Sequence, residues 1–111
     1  MRVSEQFHLG VIHDGDIATA VIHGDLDADT VPKLRAAVSG LLSNGTMHIT
    51  LDLKEMTFVD SSGLGAIVDT ARTLRAAGGD LSLVNPRPSV RRIFQLTSLE
   101  DALRIATGNE G

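Results

Sequence analysis

The chain of 111 residues has no cysteine, no tryptophan and no tyrosine. Without cysteine there are no disulfides, no thiolate zinc sites and no cysteine nucleophile. The only aromatic residues are Phe7, Phe58 and Phe94. An aliphatic core is therefore expected, and stacking platforms for single-stranded nucleic acid are nearly missing. Positive charge is not in excess either, since the formal net charge is −4. Direct nucleic-acid binding needs a basic patch that displaces counterions, so it is not expected. No apolar run reaches the length of a membrane span, and "MRVSEQFHLG" has no apolar stretch that reads as a signal peptide. What remains is a single cytoplasmic globular domain over residues 1–111, with no role at a membrane. Its 42% of hydrophobic residues can build a core without staples.

The order of elements follows from hydrophobic spacing. Two β-like runs flank His13-Asp14-Gly15-Asp16, and Asp-Gly between such runs predicts a hairpin. Val31, Leu34, Val38, Leu41 and Leu42 share one face of a helix, with Thr30 as N-cap, Pro32 in the first turn and Asn44-Gly45 as the stop. Met47, Ile49, Leu51 and Leu53 then alternate with His48, Thr50 and Asp52, as in a strand with one polar face. After Asp60 the helical period resumes at Leu64, Ile67, Val68, Ala71 and Leu74. "DLSLVN" predicts a strand and "RPSVRRIFQL" a helix bearing Val90, Ile93 and Phe94. "SLEDALRIA" predicts a last short helix with Leu99, Leu103 and Ile105, and the tail "TGNEG" should fray. This order implies an α/β domain whose mixed, mostly parallel sheet of four to five strands carries its helices mainly on one face.

Several chemical motifs begin and then fail. Asp25, Asp27 and Asp29 start like a calcium loop, but Thr30 stands where glycine is required and Ala36 where a bidentate glutamate belongs. Gly63-x-Gly65 lacks the third glycine of a dinucleotide fingerprint, and no P-loop lysine occurs. The hydrolase elbow needs glycines two residues either side of its serine, whereas Ser61 has Val59 and Gly63, and Ser62 has Asp60 and Leu64. All four histidines precede the serines. No nucleophile–base pair survives, so the chain does not read as an enzyme.

"FVDSSGLGAI" remains, a strand end running into a helix through Asp60, Ser61 and Ser62. Serine is a favoured N-cap, worth about 0.5–2 kcal/mol over alanine. Either Ser61 caps, or Asp60 caps and both serines sit in the first turn; the sequence leaves both registers open. Gly63 and Gly65 cost a helix about 1 kcal/mol each relative to alanine. That cost implies close approach to this backbone, by a neighbouring element or by a partner. The junction also lies at the carboxyl end of a parallel strand, where sites in open α/β sheets form.

The same segment resembles the signature of bacterial anti-sigma factor antagonists, small single-domain members of the STAS family. "GDLDADTVPKLRAAV" is similar to the family's acidic loop and first helix, "ITLDLKEMTFVDSSGLG" to its central strand and phosphorylation loop, and "GGDLSLVNPRPSVRRIFQLTSLEDALRI" to its last strand and C-terminal helices. The resemblance implies a STAS fold and a partner switch. The unmodified antagonist binds an anti-sigma factor with serine kinase activity, which frees the sigma factor; phosphorylation of Ser61 breaks the complex, and a serine phosphatase resets it. It further implies a partner surface at Asp27, Asp60, Ser61, Ser62, Gly63, Leu64 and Gly65, and a monomer or weak dimer. No cofactor is implied, since the ATP belongs to the kinase. The other reading is a STAS scaffold or sensor module, stressosome-like or part of a transport complex, that Ser61 does not control.

Overall fold

In the computed structural model, which describes residues 7–97 and the strand Arg104–Ala106, the first two apolar runs form the expected hairpin. Strand β1 (His8–Asp14) lies antiparallel to β2 (Ile17–Leu26), and the ladder closes with Asp14 opposite Ile17. Asp14 thus belongs to the strand and the loop is Gly15-Asp16. Gly15 adopts φ +68, a left-handed conformation that suits the twist of a two-residue hairpin loop.

Helix α1 (Val31–Ser43) buries Val31, Leu34, Val38 and Leu41 at helical spacing, while Leu42 is only partly buried. Strand β3 (His48–Asp52) returns parallel to β2, with Ile49 and Leu51 buried and His48 exposed. The alternating run ends at Leu53. A further strand, β4 (Met56–Val59), then pairs with Gly24–Leu26 of β2, across a register shift between Gly24 and Asp25. The sequence predicts one strand running from Met47 toward Asp60, and the structure splits it into β3 and β4. Strand β4 forms because β2, with ten residues, outruns the five of β3 and leaves backbone groups for a second partner.

Helix α2 (Ser61–Ala76), strand β5 (Asp80–Val84) and helix α3 (Pro88–Leu96) follow the expected order, and α3 buries Val90 and Phe94. The expected last helix is corrected at its end. Arg104–Ala106 form strand β6, parallel to β5, with Ile105 level with Leu83. Pairing along the edge of β5 satisfies main-chain groups that a helix there would leave open, so tertiary context overrides the helical spacing. Leu99, Leu103 and the tail "TGNEG" lie outside the described residues.

The sheet runs β1-β2-β3-β5-β6, with β4 off this line on β2. Rows such as Ala18–Ile49–Leu81 and Ala20–Leu51–Leu83 cross its core face. Helices α1 and α2 pack against each other, and α2 also contacts β4 and β5. Since β2 and β4 are parallel, the helices that follow them both begin at the same end of the sheet. A groove between the starts of α1 and α2 is the result.

Candidate functional site

The open register at the serines resolves in favour of Asp60. Its backbone is extended (φ −110, ψ −172), and its Oδ1 accepts the N–H of Gly63 at 3.0 Å. The Asp60 carbonyl accepts the Leu64 N–H (2.9 Å), closing the first turn. Asp60 is an N-cap because its short carboxylate satisfies a donor that has no partner inside the helix. Ser61 and Ser62 are therefore the first two helical residues. Both are exposed, and no other described residue engages either hydroxyl.

The two glycines do different things. Gly63 is buried, and a Cβ there would come within 2.5 Å of the Leu26 carbonyl oxygen and 2.8 Å of Val59 Cγ2. The same carbonyl accepts the Asp60 N–H (3.3 Å), so the end of β2 grips the start of α2 at two points. Gly65 is exposed, and a Cβ there would meet nothing within 4 Å. Leu64 between them is half-buried against the core.

Asp27 lies in the turn before α1, half-buried, and does not line the groove that holds the serines. Its Oδ1 accepts the N–H groups of Asp29 (3.0 Å) and Thr30 (3.2 Å). Thr30 occupies the N-cap position of α1, but its side chain does not cap. The hydroxyl donates to the Asp25 carbonyl (2.8 Å) and accepts the Asp27 N–H (2.9 Å), which folds the acidic loop on itself. Asp25 is buried and accepts the Thr57 hydroxyl at 2.6 Å, tying this loop to β4. Charge and turn chemistry at Asp27 can be separated by mutation. Asp27→Asn keeps the Oδ1 acceptor and should leave thermal stability nearly unchanged. Asp27→Ala should lose about 0.5–1.5 kcal/mol in chemical denaturation.

The groove has a volume of about 670 Å³. Ala28, Val31, Pro32 and Arg35 form one wall, and Ser61, Ser62, Gly65 and Asp69 the other. Ser62, Gly65 and Asp69 stand at i, i+3 and i+7, one stripe of α2. Of the expected partner surface, Ser61, Ser62 and Gly65 come together here, whereas Asp60, Gly63 and Leu64 hold the helix start in place. Arg35 and Asp69 were not anticipated from the sequence. They form an ion pair across the groove, Nη2 to Oδ2 3.2 Å. Arg35 sits four residues after Val31, and that spacing was the available signal.

A family model for the STAS domain matches residues 10–109. The chain belongs to the STAS family, among the anti-sigma factor antagonists. It is 30% identical to the anti-sigma-B factor antagonist of Staphylococcus aureus (strain NCTC 8325 / PS 47) over 89 residues, which cover 80% of this chain and 82% of that one. It is 36% identical to the anti-sigma F factor antagonist of Lysinibacillus sphaericus over 87 residues, 78% and 74% of the two chains. The fold of this STAS domain matches the solved antagonist SpoIIAA in its unphosphorylated form with a TM-score of 0.76 at 31% identity, covering 93% of this chain and 90% of that one. The Bacillus cell fate determinant SpoIIAA in the phosphorylated form matches with a TM-score of 0.70 at 30% identity, covering 93% of each chain. Among the described residues of this STAS domain, no helix is long and apolar enough to cross a membrane.

Proposed function

We propose that this STAS domain is a cytoplasmic, protein-binding regulator that antagonises an anti-sigma factor and is switched by phosphorylation of Ser61. Unmodified, it docks on an anti-sigma factor that is also a serine kinase and so releases the sigma factor. The kinase transfers the γ-phosphoryl group of its own ATP to the Ser61 hydroxyl, the complex dissociates, and a serine phosphatase hydrolyses the phosphate. The chain itself carries no catalytic role in this cycle.

The observation that carries the reading is the state of Ser61. Its hydroxyl is exposed and engaged by no described residue, at the mouth of a groove between two helix starts, on a helix fixed from below by Asp60 and Gly63. A kinase can reach that hydroxyl without unfolding anything. Solved structures of SpoIIAA in both forms lend the phosphate switch further support.

Intact-protein mass spectrometry with fragmentation, after incubation with ATP and a lysate of the source cells, tests the reading. One phosphate on Ser61 is expected, and none on Ser61→Ala, which should hold the kinase in a stable complex. Phosphate still added to Ser61→Ala would move the acceptor to Ser62. No phosphate at all, with kinase activity demonstrated in the same lysate, would favour a scaffold or sensor role.

A further inference from the structure

The Arg35–Asp69 pair spans the interhelical groove and divides it. On the serine side lies the 670 Å³ space; on the other is a recess of about 200 Å³ reaching Val38, Leu42 and Thr73. Arg35 and Asp69 line both. Among the described residues that line either space, Arg35 carries the only positive charge. Both side chains are about half exposed, at 51% and 52%. Exposed pairs of this kind are held by little, and a stronger anion can compete for the arginine.

Gly65 clears the path between Asp69 and the serines. Nothing in the fold requires glycine there, because a Cβ would meet no atom within 4 Å, yet glycine weakens the helix. Ser61 and Asp69 are about 12 Å apart along the axis of α2, with no side chain at the intervening Gly65. Helical side chains lean toward the N-terminus of their own helix. Since α1 and α2 begin at the same end, this tilt aims the Cα–Cβ bond of Arg35 toward the end of the groove that holds the serines, although its guanidinium meets Asp69.

We propose that Arg35 is the internal counter-ion of a phosphate on Ser61: it exchanges Asp69 for the phosphate at the serine end of the groove. This rests on Ser61 being the phosphate carrier. A phosphate dianion offers more charge than one carboxylate and three acceptor oxygens that suit the guanidinium fork. The modified domain would then hold the dianion and its counter-ion together on the groove surface, and Asp69 would be left without its ion-pair partner.

The test uses the full chain with phosphoserine installed at position 61 by genetic code expansion, so its outcome does not depend on any kinase. Phosphorus NMR follows the second ionisation of the phosphate, which lies near pH 6 in ordinary phosphoserine. A nearby cation favours the dianion, so the midpoint in the unsubstituted chain should fall below that of Arg35→Ala by roughly 0.3–0.5 pH unit. The difference should shrink in high salt, and Arg35→Lys should recover at least half of it. The Arg35 Nε–H signal should move with the same midpoint. Superimposable titrations for the unsubstituted and Arg35→Ala chains, or an Arg35 signal indifferent to the phosphate, would overturn the proposal. Failure of a kinase to modify Ser61 would instead count against the phosphorylation switch and leave this titration unaffected.

Discussion

Phosphate on Ser61 is expected to weaken binding of the anti-sigma partner by roughly a hundred- to a thousandfold while leaving the circular-dichroism spectrum native. The fold should tolerate the charge because Ser61 is exposed in the first turn of α2. A negative group at an exposed helix start is favoured by about 0.3–1 kcal/mol. Asp60 offsets part of that gain by repulsion, but its Oδ1 stays bonded to the Gly63 N–H, so the cap itself is not displaced. The complex is another matter. A partner covering Ser61 must strip water from about 1.5 to 2 negative charges, at a cost of several kcal/mol unless it supplies matched cations. A loss of about 3–4 kcal/mol gives the stated change in affinity. Ser61→Asp carries a single charge and should produce the same effect in weaker form. Titration calorimetry against the purified partner reads both. An unchanged affinity of the phosphorylated chain would mean that Ser61 lies outside the interface. Loss of the helical spectrum would mean that the helix start cannot hold the charge.

Alanine at the two glycines should act in opposite directions. Gly63→Ala places a Cβ against the Leu26 carbonyl oxygen and Val59, both belonging to strands that cannot move apart without breaking the β2–β4 ladder. Overpacking of this kind costs about 1–3 kcal/mol, only partly repaid by the better helix propensity of alanine. A fall in Tm on the order of 5–10 °C is expected. Gly65→Ala meets open space and should raise Tm by a few degrees, since alanine favours the helix by about 1 kcal/mol. Its methyl group would project into the groove beside the serines, so partner affinity should fall even as stability rises. Equal melting temperatures for the two variants would remove the distinction between an inward and an outward glycine.

Much of this architecture was legible in the order of residues alone. The helix faces of α1, α2 and α3 could be read because apolar residues recurring every 3.6 positions suit an amphipathic helix and little else. Strand β3 could be read because strict alternation suits a strand with one buried face. The strand end before Asp60 could be read, but not that β4 is a strand of its own. Its four residues show no alternation, two of them exposed in sequence between two buried ends, and it exists only because β2 offers more edge than β3 covers. Strand β6 was read as helix for the opposite reason: a convincing local period lost to pairing with distant residues on β5. At the site, the motif located Ser61 and the cost of the glycines foretold close contact, but not that Gly63 faces the core and Gly65 does not. Which residue capped α2 also depended on the three-dimensional arrangement, since aspartate and serine cap equally well. The Arg35–Asp69 pair joins residues 34 positions apart, and local spacing could place Arg35 on its helix face but not name its partner.

The residues of α2 that hold the domain together and those that would meet a partner are different residues. Gly63, Ala66, Ile67, Thr70, Ala71 and Leu74 point inward, while Ser61, Ser62, Gly65 and Asp69 line the groove with Ala28, Pro32 and Arg35 opposite. Substitutions at exposed positions away from special features usually change stability by no more than about 0.5 kcal/mol. Descendants of such a gene can therefore drift at Ala28, Pro32, Arg35 and Asp69 almost free of folding constraint. Duplicated copies in one cell could diverge in whom they answer to, with a changed charge or bulk in the groove keeping each signalling line from cross-talking with its sisters.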